Sequence, residues 1–228
     1  MEGKVIVITG ASRGLGKALG QVLAEKKATV VISSRDRKEI EAMAKEIGAT
    51  GIACDVTKEK DVIRIAEETV KKFGHIDIWI NNAGVWLPHA TIEETDMKRA
   101  HDVFEVNLFG LAYGSREAVI QMKKQGYGTI VNIISTSALK GRPKSTIYSA
   151  SKHAAKGFTD SLREELNESG ITVIGIYPGG IKTHLFDEKK PDEFGDFMTP
   201  EFVADKIVEN LLKDNPDTDI ILKRPGQK

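Results

Sequence analysis

Tyr148 and Lys152 bracket the run Tyr148-Ser149-Ala150-Ser151-Lys152. Four residues apart on a helix, their side chains lie on one face. A free tyrosine titrates near ~10 and exchanges protons poorly at neutral pH. A neighbouring ammonium stabilises the phenolate and lowers that value. Such a pair can give a proton to a carbonyl oxygen or take one from a hydroxyl. Thirteen residues upstream stands Ser135, whose hydroxyl can hydrogen-bond an oxygen on which charge develops. Ser137 is a rival, but the spacing to Tyr148 favours Ser135. Each feature also has a plainer reading. Tyr and Lys stand four apart on many solvated helices, and a serine at a strand end can simply satisfy turn backbone.

Two more features bear on a ligand. Thr9-Gly10-Ala11-Ser12-Arg13-Gly14-Leu15-Gly16 follows an apolar run and opens a helical one. Glycines there allow close backbone approach to a pyrophosphate at a helix N-terminus. The spacing is TGxxxGxG rather than GxGxxG, and a tight turn without a ligand is the alternative. Asn107 falls on an apolar helical stripe with Ala100, Val103 and Leu111. Buried without a partner it would cost roughly 1–3 kcal/mol, so it must hold a water, the Lys152 neighbourhood or a core hydrogen bond.

The elements that position these residues alternate. Strands are predicted at Val5–Ile8, Thr29–Ser33, Gly51–Cys54, Ile76–Ile80, Thr129–Ile134, Ile171–Tyr177 and Asp219–Leu222. Helices are predicted over Gly14–Lys27, from the cap Asp36 to Ile47, Lys58–Phe73, Glu94–Lys124, Ile147–Glu168 and Pro200–Lys213. The segment at about 184–198 is irregular and charged. Short continuous apolar runs suit strands buried on both faces. The expected fold is therefore α/β: a single-domain, Rossmann-type, doubly wound parallel sheet of about seven strands with helices on both faces. One domain spans 1–228, with a short substrate lid at about 184–198. A ligand should sit at the carboxyl ends of the strands.

Composition narrows the class. Basic and acidic residues number 33 each, so no net field favours nucleic acid or an anionic membrane. No apolar run approaches the roughly 20 residues that span a bilayer. Met1-Glu2-Gly3-Lys4 leads straight into a strand, without a signal peptide. Cys54 is the sole cysteine, which excludes an internal disulfide. The five histidines show no metal-ligand spacing. The expectation is a cytoplasmic protein with no nucleic-acid, membrane or metal partner.

Taken in register, these motifs resemble the short-chain dehydrogenase/reductase family over nearly the whole chain. Thr9-Gly10-x-x-x-Gly14-x-Gly16 is similar to its cofactor loop. Asp55-Val56 falls at its adenine position, and Asn81-Asn82-Ala83-Gly84 at its strand-four signature. Asn107, Ser135, Tyr148 and Lys152 match its catalytic tetrad, and Pro178-Gly179 followed by Thr183 matches its nicotinamide segment. The resemblance implies hydride transfer between a nicotinamide dinucleotide and a carbonyl or alcohol carbon, with Tyr148 as general acid or base. Lys152 would lower the Tyr148 pKa and hold the nicotinamide ribose, Ser135 would orient the substrate oxygen, and Asn107 would support a water. Cofactor contacts are implied for Gly10, Ser12, Arg13, Gly14, Leu15 and Gly16 in the loop. They are also implied for Ser34, Arg35, Asp55 and Val56, for Asn82, Ala83 and Gly84, and for Tyr148 and Lys152. Beyond the sixth strand the contacts are Pro178, Gly179, Ile181 and Thr183.

Ser34 stands where an acidic residue would select NAD, and Arg13 and Arg35 can converge on a 2′-phosphate. Asp36 is better placed as a helix cap. NADP(H) is therefore favoured over NAD(H). Trp86, Leu139, Leu185, Phe186 and Phe194 are the expected apolar walls of a substrate pocket for a small ketone, an aldehyde or an oxoacyl thioester. Arg142 or Lys182 could meet a substrate carboxylate. Small residues on the helix from Ile147 (Ser149, Ala150, Ser151, Ala154, Ala155) point to a homodimer or homotetramer. The competing classes are a non-catalytic dinucleotide sensor or scaffold, which needs no Ser135-Tyr148-Lys152 set, and a nucleotide-sugar epimerase, which usually has a larger C-terminal domain.

Overall fold

Val5–Thr9 forms the central strand β1, and all five of its residues are buried. Alternate residues face opposite layers. Ile6 and Ile8 enter one core with Ile32, Ile80 and Leu19. Val7 enters another with Val31, Trp79 and Ile65. A strand buried at every position and apolar at its first four sits between two layers of helices. The computed structural model describes residues 1–224.

The remaining strands are β2 (Thr29–Ser34), β3 (Thr50–Ala53), β4 (Ile78–Asn81), β5 (Gly128–Ile133), β6 (Ile171–Pro178) and β7 (Asp219–Leu222). All pair in parallel, in the order β3-β2-β1-β4-β5-β6-β7. Helices α1 (Gly14–Glu25), α2 (Arg37–Ile47) and α7 (Pro200–Leu211) contribute to the first core, and α3 (Glu59–Phe73) and α5 (Leu111–Gln125) to the second. Helix α6 (Thr146–Glu165) adds Ala155 to a smaller cluster with Ile134 and Tyr177. The strand order reverses between β1 and β4, so the loops leaving their carboxyl ends diverge and open a crevice.

Two elements differ from expectation. The long helix predicted from Glu94 begins as α4 at Met97, where the Asp96 side chain accepts from the Lys98 N–H. It then widens into a π segment over Glu105–Gly110 before α5. π turns often mark functional sites, and this one contains Asn107. The fourth strand starts at Ile78 rather than Ile76. The Gln125 side chain occupies both backbone groups of Ile76, at 3.0 and 2.9 Å, so no neighbouring strand can.

Candidate active site

The Gly10–Gly16 loop joins β1 to α1 and is built around backbone approach. A Cβ at Gly10 would come 2.7 Å from the Ala83 Cα, and one at Gly16 would overlap the Gly10 carbonyl oxygen. Gly14 has φ +57°, which an L side chain rarely adopts. Asn82 clamps the loop to β4: its amide donates to the carbonyls of Thr9 (2.9 Å) and Gly10 (2.8 Å). The Thr9 hydroxyl accepts from the N–H groups of Asn82 and Ala83. Arg13, at the N-cap of α1, makes no side-chain cap, and the first turn has no acidic residue. The opening N–H groups of α1 are thus left for an anion. This cradle fits the pyrophosphate of a dinucleotide.

A cavity of about 520 Å³ runs from this loop across the carboxyl ends of the strands to Tyr148 and Lys152. Every expected contact residue lines it except Gly16 and Asn107. Gly16 is packed behind the loop. The Asn107 amide group mimics a strand neighbour for Val85, accepting from its N–H and donating to its carbonyl, both at 2.9 Å. It also donates to the Ser151 hydroxyl at 3.1 Å. These bonds engage the Asn107 side chain within the protein. It still borders the lysine, because a Cβ at Gly84 would stand 3.4 Å from the Asn107 Oδ1 and 3.7 Å from the Lys152 Nζ.

Ser135 follows β5, and its hydroxyl accepts from the Ser137 N–H at 3.0 Å. Tyr148 and Lys152 lie on the first turns of α6, both buried. The Lys152 Nζ sits 5.8 Å from the Tyr148 ring centroid. Burial pushes the Tyr148 phenol up to about 12, against the opposite pull of its hydrogen bond with Ser135 and of Arg142. Burial also takes the Lys152 ammonium down to about 8. At Tyr148 desolvation outweighs both the hydrogen bond with Ser135 and the charge of Arg142.

At the far end, β2 closes at Ser34 and the Asp36 side chain caps α2 by accepting from the Glu39 N–H at 2.9 Å. Arg13 and Arg35 are exposed and line the same cavity. Asp55 lies in reach of Arg35. Burial raises the Asp55 pKa, but hydrogen bonds from Thr57 and the charges of Lys58 and Arg35 carry it below the ordinary carboxylate range.

The apolar wall differs in part from expectation. Trp86, Leu185 and Phe186 line the cavity, and Trp86 meets Phe186 edge-on at 5.0 Å. Phe194 stands behind Phe186, 6.1 Å away, on a second depression of about 320 Å³ that also takes Lys182. Leu139 lines neither; it is exposed, because the turn after Ser135 points it outward. Sequence reasoning missed His89, Phe197 and Arg224, which also line the cavity. Phe197 packs against the backbone of Gly180, where a Cβ would overlap its ring. Nothing in the spacing of those two residues announces that contact. The segment after β6 folds back so that the Thr183 side chain lies against Gly14.

The chain belongs to the short chain dehydrogenase family, whose model matches residues 4–193. Proteins of this family are oxidoreductases that bind a nicotinamide dinucleotide. The chain is 37% identical over 191 residues to an uncharacterized oxidoreductase of Staphylococcus saprophyticus, covering 81% of each. It is 36% identical over 211 residues to the NADPH-dependent aldehyde reductase 1, chloroplastic, of Arabidopsis thaliana, covering 86% of this chain and 73% of that one. Its fold matches the crystal structure of 3-ketoacyl-(acyl-carrier-protein) reductase from Brucella melitensis complexed with NADH. That match has a TM-score of 0.89 and 29% identity over 96% of each chain.

Proposed function

We propose that this protein interconverts a carbonyl compound and an alcohol with NADP(H), and that Tyr148 moves the proton at the substrate oxygen. The observation that carries this reading is the meeting of Tyr148, Ser135 and Lys152 at one end of the cavity that begins at the Gly10–Gly16 loop. The loop and the N-terminus of α1 hold the pyrophosphate, Asp55 and Val56 flank the adenine, and Pro178, Gly179, Ile181 and Thr183 border the nicotinamide. The bound dinucleotide supplies or accepts the hydride. Tyr148 gives its proton to the carbonyl oxygen in reduction and takes one from the alcohol in oxidation. Ser135 orients that oxygen, Lys152 holds the nicotinamide ribose, and Asn107 keeps the Val85 backbone and the base of α6 in place.

NADP(H) is favoured over NAD(H) because Arg13 and Arg35 stand beside Ser34 where an acidic residue would repel a 2′-phosphate. The relative from Arabidopsis is NADPH-dependent by name, while the Brucella structure holds NADH. The segment at about 184–198, two short 3₁₀ turns tied to α4 by a forked Arg99–Glu188 pair at 2.8 and 2.6 Å, is read as the substrate lid of one domain. The working state is read as a homo-oligomer in the cytoplasm. The test is NADPH oxidation against a panel of aldehydes, ketones and oxoacyl thioesters, repeated with NADH. Turnover with NADPH at a higher kcat/KM than with NADH is the expected result. Binding of NADPH without turnover of any carbonyl would mark a dinucleotide sensor instead.

A further inference from the structure

The arginines of this chain sort by position. Arg37, Arg64, Arg99, Arg116 and Arg163 each pair with a carboxylate, and none of them lines the cavity. Arg13, Arg35, Arg142 and Arg224 pair with none among the described residues, and all four line it. Arg13 and Arg35 stand at the adenosine end, where a phosphate accounts for them. Arg142 and Arg224 are left on the rest of the wall without a carboxylate partner among the described residues.

Arg142 is held at the Tyr148 end. Its guanidinium donates to the Thr136 hydroxyl at 3.3 Å, one residue from Ser135. Its charge is felt at the Tyr148 phenol. Its loop is braced: the Arg142 carbonyl accepts from the Ser145 N–H at 3.3 Å, and the Lys144 carbonyl accepts from the Ala90 N–H at 3.0 Å. Arg224 follows β7 and lies 5.7 Å from the Phe197 ring centroid. In the segment after Thr183, Asp187 bonds His184 and Glu188 pairs with Arg99. Glu193 remains on the cavity wall. Trp86, Phe186 and Phe197 line the same cavity. A planar, always-charged fork beside an apolar wall suits a ligand with an apolar body and one carboxylate.

We propose that the substrate is an oxo or hydroxy acid whose carboxylate is received by Arg142, with Arg224 as a second positive charge on the same cavity. The inference rests on the Tyr148 end being the substrate end. Binding is measured first, by calorimetry on protein saturated with its nicotinamide dinucleotide, using benzoate, benzamide and phenyl phosphate as probes. Benzoate should bind at least tenfold more tightly than benzamide. Arg142→Met should collapse that ratio, Arg142→Lys should keep part of it, and Arg224→Met should reduce it less than Arg142→Met does. Equal binding of benzoate and benzamide, an unchanged ratio in Arg142→Met, or binding of phenyl phosphate alone overturns the proposal. Turnover is measured next, as kcat/KM for phenylglyoxylate against its methyl ester, where the same preference and the same collapse are expected. If neither is reduced but benzoate still discriminates through Arg142, the anion site stands and the oxidoreductase reading falls. If carbonyls are reduced while benzoate and benzamide bind alike, only the anion site falls.

Discussion

At Tyr148 and Lys152 burial acts in opposite directions, lifting the phenol to about 12 and lowering the ammonium to about 8. The tyrosine therefore stays protonated through neutral pH, ready to donate in the reductive direction. Tyr148→Phe removes the proton and little volume. It should lower kcat by roughly 10²–10⁴-fold while NADPH still binds, as followed by cofactor fluorescence and steady-state rates. A variant retaining more than about a tenth of the wild-type kcat removes Tyr148 from the proton path. The lysine carries a cost in stability, and its sign follows from the shift. Below pH 8 it is charged in both folded and unfolded chains, and the folded chain bears the full penalty of burying it. Between 8 and the ordinary value near 10.5 the unfolded chain holds more protons, so stability rises with pH. Above that window the penalty is gone. Lys152→Met should thus be more stable than wild type by about 1–3 kcal/mol at pH 7, with the gap closing between pH 8 and 10.5 in urea unfolding. A gap constant with pH would mean the lysine is well solvated or paired. At the other end of the cavity, the proposed contact of Arg35 with the 2′-phosphate is charge-assisted and worth roughly 1.5–3 kcal/mol, and Arg35→Asp would delete it. NADPH affinity should fall tenfold to a hundredfold or more, while NADH affinity holds or rises. Kd values for both cofactors in both proteins decide this, and an unchanged ratio reduces Arg35 to a surface charge.

Among elements, α5 is fixed against β4 by a buried polar chain. The Trp79 indole donates to the Asn81 Oδ1 at 2.8 Å, and the Asn81 amide donates to Ser115 at 3.0 Å and Asn132 at 2.8 Å. Asn132 donates on to Thr159 at 3.0 Å, and Thr159 to the Ala155 carbonyl. The chain thus stitches β4, β5, α5 and α6 beneath the site. Gly114 leaves room for it, since a Cβ there would overlap the Asn81 Oδ1. Gly114→Ala should cost about 2–4 kcal/mol, from overpacking and a broken hydrogen bond together. Urea unfolding reads this directly, and a variant as stable as wild type would show that the network can yield. Only Asn81 of this chain stood out in the sequence, within Asn81-Asn82-Ala83-Gly84; Ser115, Asn132 and Thr159 are far apart in number and share no local signal. The strands and the Gly10–Gly16 loop were legible for the opposite reason: continuous apolar runs and closely spaced glycines are local. The π segment was not, since Asn107 sits in an unbroken helical pattern and its pairing with Val85 is distant in sequence. Leu139 was misplaced because an apolar residue shortly past a strand reads as pocket wall unless the direction of the turn is known.

For the whole molecule, apolar surface is distributed unevenly. Phe109 is 44% exposed and lies in the π segment beside α6. On α6, Ser149, Ser151 and Ala155 pack inward, while Ala150 and Gly157 face out and nothing lies within 4 Å of a Cβ at Gly157. On the opposite flank Phe202, Leu212 and Ile221 are 43%, 51% and 50% exposed. These two flanks offer exposed apolar side chains for closed pairing about two-fold axes. Light scattering at micromolar concentration should give the mass of a dimer or tetramer, and a monomer there would leave both faces unexplained. The strand order has a further consequence, for synthesis. β1 must be covered on both edges, yet its partners are made at very different times: Ile6 pairs with Val30 on one side and with Ile78 on the other. A growing chain that has released only β1 to β3 carries an open edge of unpaired backbone on a mostly apolar strand that nothing yet made can close. Parallel pairings over such sequence distances form slowly, and unpaired edges of this kind recruit other chains. The newborn protein is therefore most vulnerable to aggregation before β4 emerges, and a chaperone that shields residues 5–9 during that interval would protect the half-sheet that later holds the pyrophosphate.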